Sequence, residues 1–136
     1  MTHKKILLVD DDADDQLIFT DAMSEVDPGI ECITVNNGME ALVYLQTAIP
    51  LPSLIFLDLN MPLMNGFQCL AQIKKDNEFK HLPVIIYTTS DNPVDKKRTR
   101  ELGAEIFFTK ISDFKLLKAE LLDILNLDFS KLQTAV

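Results

Sequence analysis

Five short apolar runs alternate along the chain with five stretches of helical spacing. That alternation predicts a parallel sheet with helices on both of its faces. The first run, residues 6–9, is apolar at every position, as a strand covered on both sides should be. Ile18, Phe19, Ala22, Met23 and Val26 then follow at i, i+1, i+4, i+5 and i+8, an amphipathic helix stopped by Pro28-Gly29. Residues 31–35 alternate, which places this second strand nearer a sheet edge. Gly38 opens a helix whose buried face is Ala41, Leu42, Leu45, Ala48 and Ile49. A Pro50-Leu51-Pro52 turn leads into the third strand, 54–57, which ends at Asp58.

A helix from about 66 to 75 turns Phe67, Leu70, Ala71 and Ile73 inward. The fourth strand, 84–87, ends in Thr88-Thr89-Ser90, and Asp91-Asn92-Pro93 has the cap-then-proline order of a helix entry. This fourth helix is weakly apolar: Val94, Leu102 and Ala104 stand around a basic Lys96-Lys97-Arg98 centre, and Gly103 ends it. Residues 106–108 form the fifth strand, ending at Thr109-Lys110. The last helix buries Phe114, Leu117, Leu121, Ile124 and Leu125, and 128–136 reads as a short frayed tail.

With 136 residues the chain is one domain able to bury a core. No run is long enough to cross a bilayer, and Asp10 interrupts the first one too early for a signal peptide. A cytoplasmic location is the default that follows. Cys32 and Cys69 stand alone in apolar segments and read as reduced core residues. A formal net charge of −8 argues against affinity for nucleic acid, whose backbone demands positive charge.

The chemistry is concentrated where strands end. The first strand runs straight into Asp10, Asp11 and Asp12, with Asp14 and Asp15 close behind. Two like charges ~4 Å apart repel by roughly 4 kcal/mol at an effective dielectric of ~20. A helix start accounts for Asp12 as N-cap and for Asp14 and Asp15 near the positive end of the dipole. It leaves Asp10 and Asp11 unexplained, and a bound cation would offset their repulsion. Oxygen ligands without His or Cys favour Mg²⁺, Mn²⁺ or Ca²⁺ over zinc. In an open parallel sheet the carboxyl ends of the strands share one crevice. Asp10 and Asp11, Asp58, Thr88 and Lys110 therefore read as one site: three acids, a hydroxyl and an ammonium. A carboxylate can attack phosphorus to give an acyl phosphate, and that reaction needs a divalent cation and a basic side chain.

These residues, in this order and on these strands, resemble the receiver domain of two-component response regulators over about residues 4–126. The resemblance is carried by Val-Asp-Asp at 9–11, Leu-Asp-Leu-Asn-Met-Pro at 57–62, Asn-Gly at 65–66, Thr88, Gly-Ala at 103–104 and Lys110. It implies a doubly wound, flavodoxin-like (βα)5 fold with strand order 2-1-3-4-5. It implies that Asp58 accepts a phosphoryl group from the phosphohistidine of a sensor histidine kinase or histidine phosphotransfer protein. Mg²⁺, with Mn²⁺ an acceptable substitute, would be held by Asp11, Asp58 and the backbone carbonyl of Asn60, with Asp10 acting through water. Thr88 and Lys110 would contact the phosphoryl oxygens. Thr88 and Phe107 would form a switch that reshapes the face made by the fourth helix, fifth strand and fifth helix. Such a protein is a phosphoacceptor rather than an enzyme with its own substrate, catalysing only its own phosphotransfer and dephosphorylation.

Some features depart from the family pattern. Ile111 stands where proline commonly follows the lysine, so the preceding peptide bond is either trans or strained, since a non-proline cis bond costs ~2.5–4 kcal/mol. Thr89 adds bulk beside the hydroxyl position, and Asn60 and Ser90 flank the phosphoryl site. The reading is of a receiver at 1–127, a tail at 128–136, and no output module after Asn126. The Thr-Thr-Ser segment and the loops at 50–52 and 79–83 resemble regulators paired with phytochrome-type kinases. Some of those dimerise, which leaves a homodimer open. Two rival readings exist. A phosphatase of the haloacid-dehalogenase type would need a second carboxylate at position 60, which is Asn. A phosphorylation-independent scaffold would not need the full set Asp10, Asp11, Asp58, Thr88 and Lys110.

Overall fold

Strands that are apolar at every position need cover on both faces, and the chain supplies it by alternating strand and helix throughout. The computed structural model describes residues 3–130. In chain order the elements are β1 (Lys5–Val9), α1 (Ala13–Val26), β2 (Glu31–Val35), α2 (Gly38–Thr47), β3 (Leu54–Leu57), α3 (Gly66–Lys75), β4 (Val84–Thr88), α4 (Pro93–Glu101), β5 (Ile106–Thr109) and α5 (Phe114–Leu125). All pairings are parallel and the strand order is β2-β1-β3-β4-β5, the doubly wound topology expected. β2 lies at the edge, where none of its residues is fully buried; its burial does not strictly alternate, since Cys32 and Ile33 are both half-buried. The order reverses between β1 and β3, where Val9 faces both Val35 and Leu57. A crevice opens at such a reversal, beyond the carboxyl ends of the strands.

Successive side chains of a strand point to opposite faces, so each strand feeds two cores. Ile6, Leu8, Phe56, Ile85, Tyr87 and Phe108 meet Phe19 and Met23 of α1 and Leu117 and Leu121 of α5. On the other face Leu7, Val9, Ile55, Leu57, Val84 and Ile86 meet Leu45 of α2 and Leu70 and Ile73 of α3. At roughly 1.5–3 kcal/mol for each fully buried large apolar side chain, these layers dominate the folding free energy. The first is centred on aromatic rings: Phe19 lies 4.9 Å from Phe56 and 5.3 Å from Tyr87, edge-on or tilted. Asp12, Asn37, Asn65, Asn92 and Asp113 cap the five helices through side chain to backbone amide bonds.

Some expectations fail, for local reasons. Ile49 is 93% exposed rather than buried, because α2 ends at Thr47 and the chain has already left helical geometry at the Ala48 cap. Leu42 and Ala48 are half-buried, as is Ala71 in α3, where Cys69 takes a core position instead. Ile18 points largely outward at the margin of the α1 stripe. The tail reading is corrected at its start: Phe129 is buried and joins the α1–α5 core, so burial continues past residue 128. The rest of that tail, 131–136, lies outside the described residues. Both cysteines are free, and burial pushes each thiol up to about 12, so they stay protonated at neutral pH. No helix among the described residues is long and apolar enough to cross a membrane.

One polar cluster that the sequence did not announce ties the far end of the sheet together. Lys74 of α3 bonds the carboxylate of Glu105 at 3.0 Å and the carbonyls of Lys80 and Leu82 at 3.2 and 2.9 Å. Glu105 in turn accepts the Val84 amide at 2.8 Å, so one ion pair joins α3 to the starts of β4 and β5. Its side chains are only 12% and 8% exposed. Breaking a buried pair from one side strands the other charge, at a cost of roughly 3–5 kcal/mol. Lys74→Met is expected to lower unfolding stability on that scale in urea titration. An unchanged midpoint would mean that Glu105 finds water instead.

Candidate functional site

Each functional side chain is set by the end of a strand. Asp10 N–H bonds the Val35 carbonyl at 3.1 Å and Asp58 N–H bonds the Val9 carbonyl at 3.0 Å, so both residues extend the sheet by one step. Lys110 N–H donates to the Thr88 carbonyl at 2.7 Å and does the same for β5. Strand alternation then sends Asp10, Asp58 and Lys110 to the side of Leu8, Phe56 and Phe108, toward α1. Three residues far apart in sequence thus meet at one rim.

The Lys110 ammonium is the centre of the meeting. Nζ lies 2.8 Å from Asp10 Oδ2, 2.7 Å from Asp15 Oδ2 and 3.2 Å from Asp58 Oδ2, and also 5.4 Å from the Tyr87 ring centre. Asp10 Oδ1 accepts the Asp12 amide at 3.0 Å and Asp58 Oδ1 accepts its neighbour Leu59's amide at 2.7 Å. The Asp10 Oδ2–Lys110 contact is a close, buried ion pair. Burial pushes the Asp10 carboxyl up from the usual range, while Lys110 and the Asp12 amide pull it down. Burial alone would lower Lys110. The bonds to Asp10 and Asp15, with the charge of Asp58, outweigh it and hold the ammonium above the ordinary lysine range.

Asp11 is exposed at the mouth, and one oxygen each from Asp10, Asp11 and Asp58 lie within 4.8 Å of one another. All-oxygen donors at this spacing fit a hard divalent cation. Asn60 is exposed and lines an open cleft of about 320 Å³ with Asp11, Met61, Asn65 and Phe67. Thr88 is fully buried but outside the ion-pair network: alternation along β4 turns it to the Ile86 side, and its hydroxyl accepts the Ser90 amide at 3.4 Å. Phe107 is half-buried on that same side, packed on the α2–α3 core with Lys96 Nζ 5.8 Å from its ring centre. The Lys110–Ile111 bond is trans, the less costly of the two alternatives.

The family model described as "Response regulator receiver domain" matches residues 6–122. The chain belongs to the response regulator receiver family. Response regulator Rcp1 of Synechocystis sp. is 34% identical over 117 residues, covering 82% of this chain and 80% of its own. Protein PilG of Pseudomonas aeruginosa is 32% identical over 106 residues, with 78% and 76% covered. Among solved structures, the phosphorylated cyanobacterial phytochrome response regulator RcpA superposes with a TM-score of 0.81 at 34% identity, covering 90% of this chain and 91% of that one. A Mn²⁺-bound form of Rcp1 superposes at 0.78 with 33% identity, covering 89% and 91%. Receiver domains are signalling modules of two-component systems, and this one has the family's acidic cluster.

The linear pattern accounts for Asp15 only as part of a helix start and gives no sign that the Tyr87 ring lies beside the ammonium. Nothing in the linear pattern separates an acid that serves the helix dipole from one that reaches across to β5. Gly66 is the other residue whose role needs the fold. Its N–H bonds the Leu59 carbonyl at 2.9 Å, and a Cβ there would sit 2.2 Å from the Asp58 carbonyl oxygen and 2.7 Å from Leu59 Cα. Both obstacles are backbone, so the loop carrying Asp58 would have to move. Gly66→Ala is expected to cost roughly 1–3 kcal/mol, the scale of overpacking, and to shift the Asp58 and Leu59 amide resonances. Wild-type melting despite shifted resonances would show that the loop yields freely.

Proposed function

We propose that Asp58 of this receiver is a phosphoacceptor, charged by the phosphohistidine of a sensor histidine kinase or histidine phosphotransfer protein. The observation that carries the reading is the Asp58 carboxylate itself. It is nearly buried, fixed by the Leu59 amide through one oxygen, and faces Lys110 through the other, beside two further carboxylates. In the transfer an Asp58 oxygen bonds to phosphorus, the P–N bond to the donor imidazole breaks, and the imidazole keeps the electron pair and takes up a proton. Lys110 supplies positive charge to the oxygens of the moving phosphoryl group. Thr88 offers a hydroxyl donor once its loop closes toward Asp58.

Asp11, Asp58 and the Asn60 carbonyl would hold Mg²⁺ or Mn²⁺, with Asp10 acting through water. A bound divalent cation neutralises charge on the phosphoryl oxygens. The oxygen-only donor set and its spacing support that assignment. The receiver unit is 1–127, the chain beyond it packs back onto the α1–α5 core through Phe129, and the site of action is the cytoplasm. The protein has no substrate of its own beyond this group.

Incubation with acetyl phosphate and Mg²⁺ is expected to label each chain once, on Asp58, with an acid-stable, base-labile adduct. Asp58→Ala and chelation of the metal should each abolish labelling. Labelling that survives Asp58→Ala would overturn the assignment.

Phe107 and Thr88 are the switch in this reading. Both lie on the α4 side of the sheet, where α4 keeps only Thr99 fully buried and so is weakly anchored. Closure of the Thr88 loop would vacate space for the Phe107 ring to turn inward and would reshape the face of α4, β5 and α5. Beryllofluoride with Mg²⁺ is expected to shift the Phe107 and α4 amide signals. A face left unperturbed at saturation would sink the coupling.

A further inference from the structure

Lys110 makes its shortest bond to a carboxylate for which the phosphoacceptor reading has no use. Asp15 Oδ2 is 2.7 Å away, against 2.8 Å for Asp10 and 3.2 Å for Asp58. An ammonium carries three protons, and three carboxylates surround this one. Phosphorylation of Asp58 removes that carboxylate's charge and frees one N–H, but the ammonium can turn further toward the phosphoryl oxygens only if Asp10 or Asp15 also gives way. Asp10 is wholly buried and Asp58 bears the group itself, with side chains 0% and 9% exposed. Asp15, in the first turn of α1, is 33% exposed, so its carboxylate can return to water at the least cost.

We propose that Asp15 is a positioning residue that holds the Lys110 ammonium toward α1 and competes for it with the phosphoryl group on Asp58. The inference rests on the reading of Asp58 as phosphoacceptor and adds a restraint to it: the unphosphorylated state is favoured by a bond that phosphorylation must exchange. The geometry has a directional consequence. Weakening Asp15 should make the phosphorylated state easier to reach, not harder, although Asp15 lies among the site's own carboxylates.

The test compares Asp15→Asn and Asp15→Glu with the wild-type chain. Mg²⁺-beryllofluoride is the titrant, followed by amide spectra, and the Lys110 side-chain ¹⁵N signal is recorded separately without metal or fluoride. Asp15→Asn should bind beryllofluoride roughly three- to fivefold more tightly, the scale of a partly exposed ion pair. It should also shift the Lys110 signal. Asp15→Glu should restore both values toward wild type, which a mere change in helix stability would not do. In a Lys110→Met background the gain from Asp15→Asn should largely vanish, since the competition acts through the ammonium. Equal or weaker binding by Asp15→Asn, or a Glu variant indistinguishable from Asn, would overturn the proposal. An unshifted Lys110 signal beside normal wild-type uptake would overturn the proposal alone. Failure of the wild type to take up beryllofluoride at all would overturn the phosphoacceptor reading and the competition with it.

Discussion

A lysine ammonium drawn almost entirely out of water has to be surrounded by negative charge, and that demand organises the rim of this sheet. Lys110 is 9% exposed and holds Asp10, Asp15 and Asp58 within 3.2 Å. Without it, carboxylates from β1, β3 and α1 would repel one another across a few ångströms in a partly desolvated pocket. Without them, the ammonium would be a buried, unpaired charge. Each side makes the other tolerable. The balance is still incomplete, since three carboxylates surround one ammonium and a fourth, Asp11, lies beside Asp10 and Asp58, and a divalent cation fits what remains.

The scaffold makes this arrangement affordable. Two apolar layers, one against α1 and α5 and the other against α2 and α3, fix the strands in register. The strand ends therefore deliver Asp10, Asp58 and Lys110 to the same height. Gly66 lets α3 begin directly against the Asp58 backbone, and the Lys74–Glu105 pair secures β4 and β5 at the opposite end. Leu63, in the loop between, sits at φ 68° with Met64 N–H bonded to the Pro62 carbonyl, a tight turn that non-glycine residues seldom adopt. The loop that follows Asp58 is thus held by backbone geometry as much as by side chains.

Strand alternation also separates two tasks. Asp58 and Lys110 lie on the α1 side of the sheet, while Thr88 and Phe107 lie on the α4 side, one residue out of phase with their neighbours Tyr87 and Phe108. In the proposed reading, phosphorylation on one face would reach the other through a shift of only one strand end. Helix α4, polar along most of its length and stacked through Arg98 on Phe67 at 4.0 Å, is the least deeply seated element next to that end.

Much of the architecture was legible in the linear sequence, because burial on two faces leaves a run of apolar residues and burial on one face leaves a helical or alternating pattern. The five strands, five helices and the rim residues Asp10, Asp11, Asp58 and Lys110 followed from that periodicity and from where each run stopped. The pattern erred where an element ended early, as at Ile49, or where a tertiary neighbour recruited a residue beyond the last helix, as at Phe129. Periodicity specifies which way a side chain faces within its own element, and it is silent about what stands opposite. Only the packed fold could decide that Asp15 reaches Lys110, that Thr88 lies away from the ion pairs, and that Glu105 pairs with Lys74. Those contacts join residues 31 to 95 positions apart, and their distances depend on how every intervening element packs.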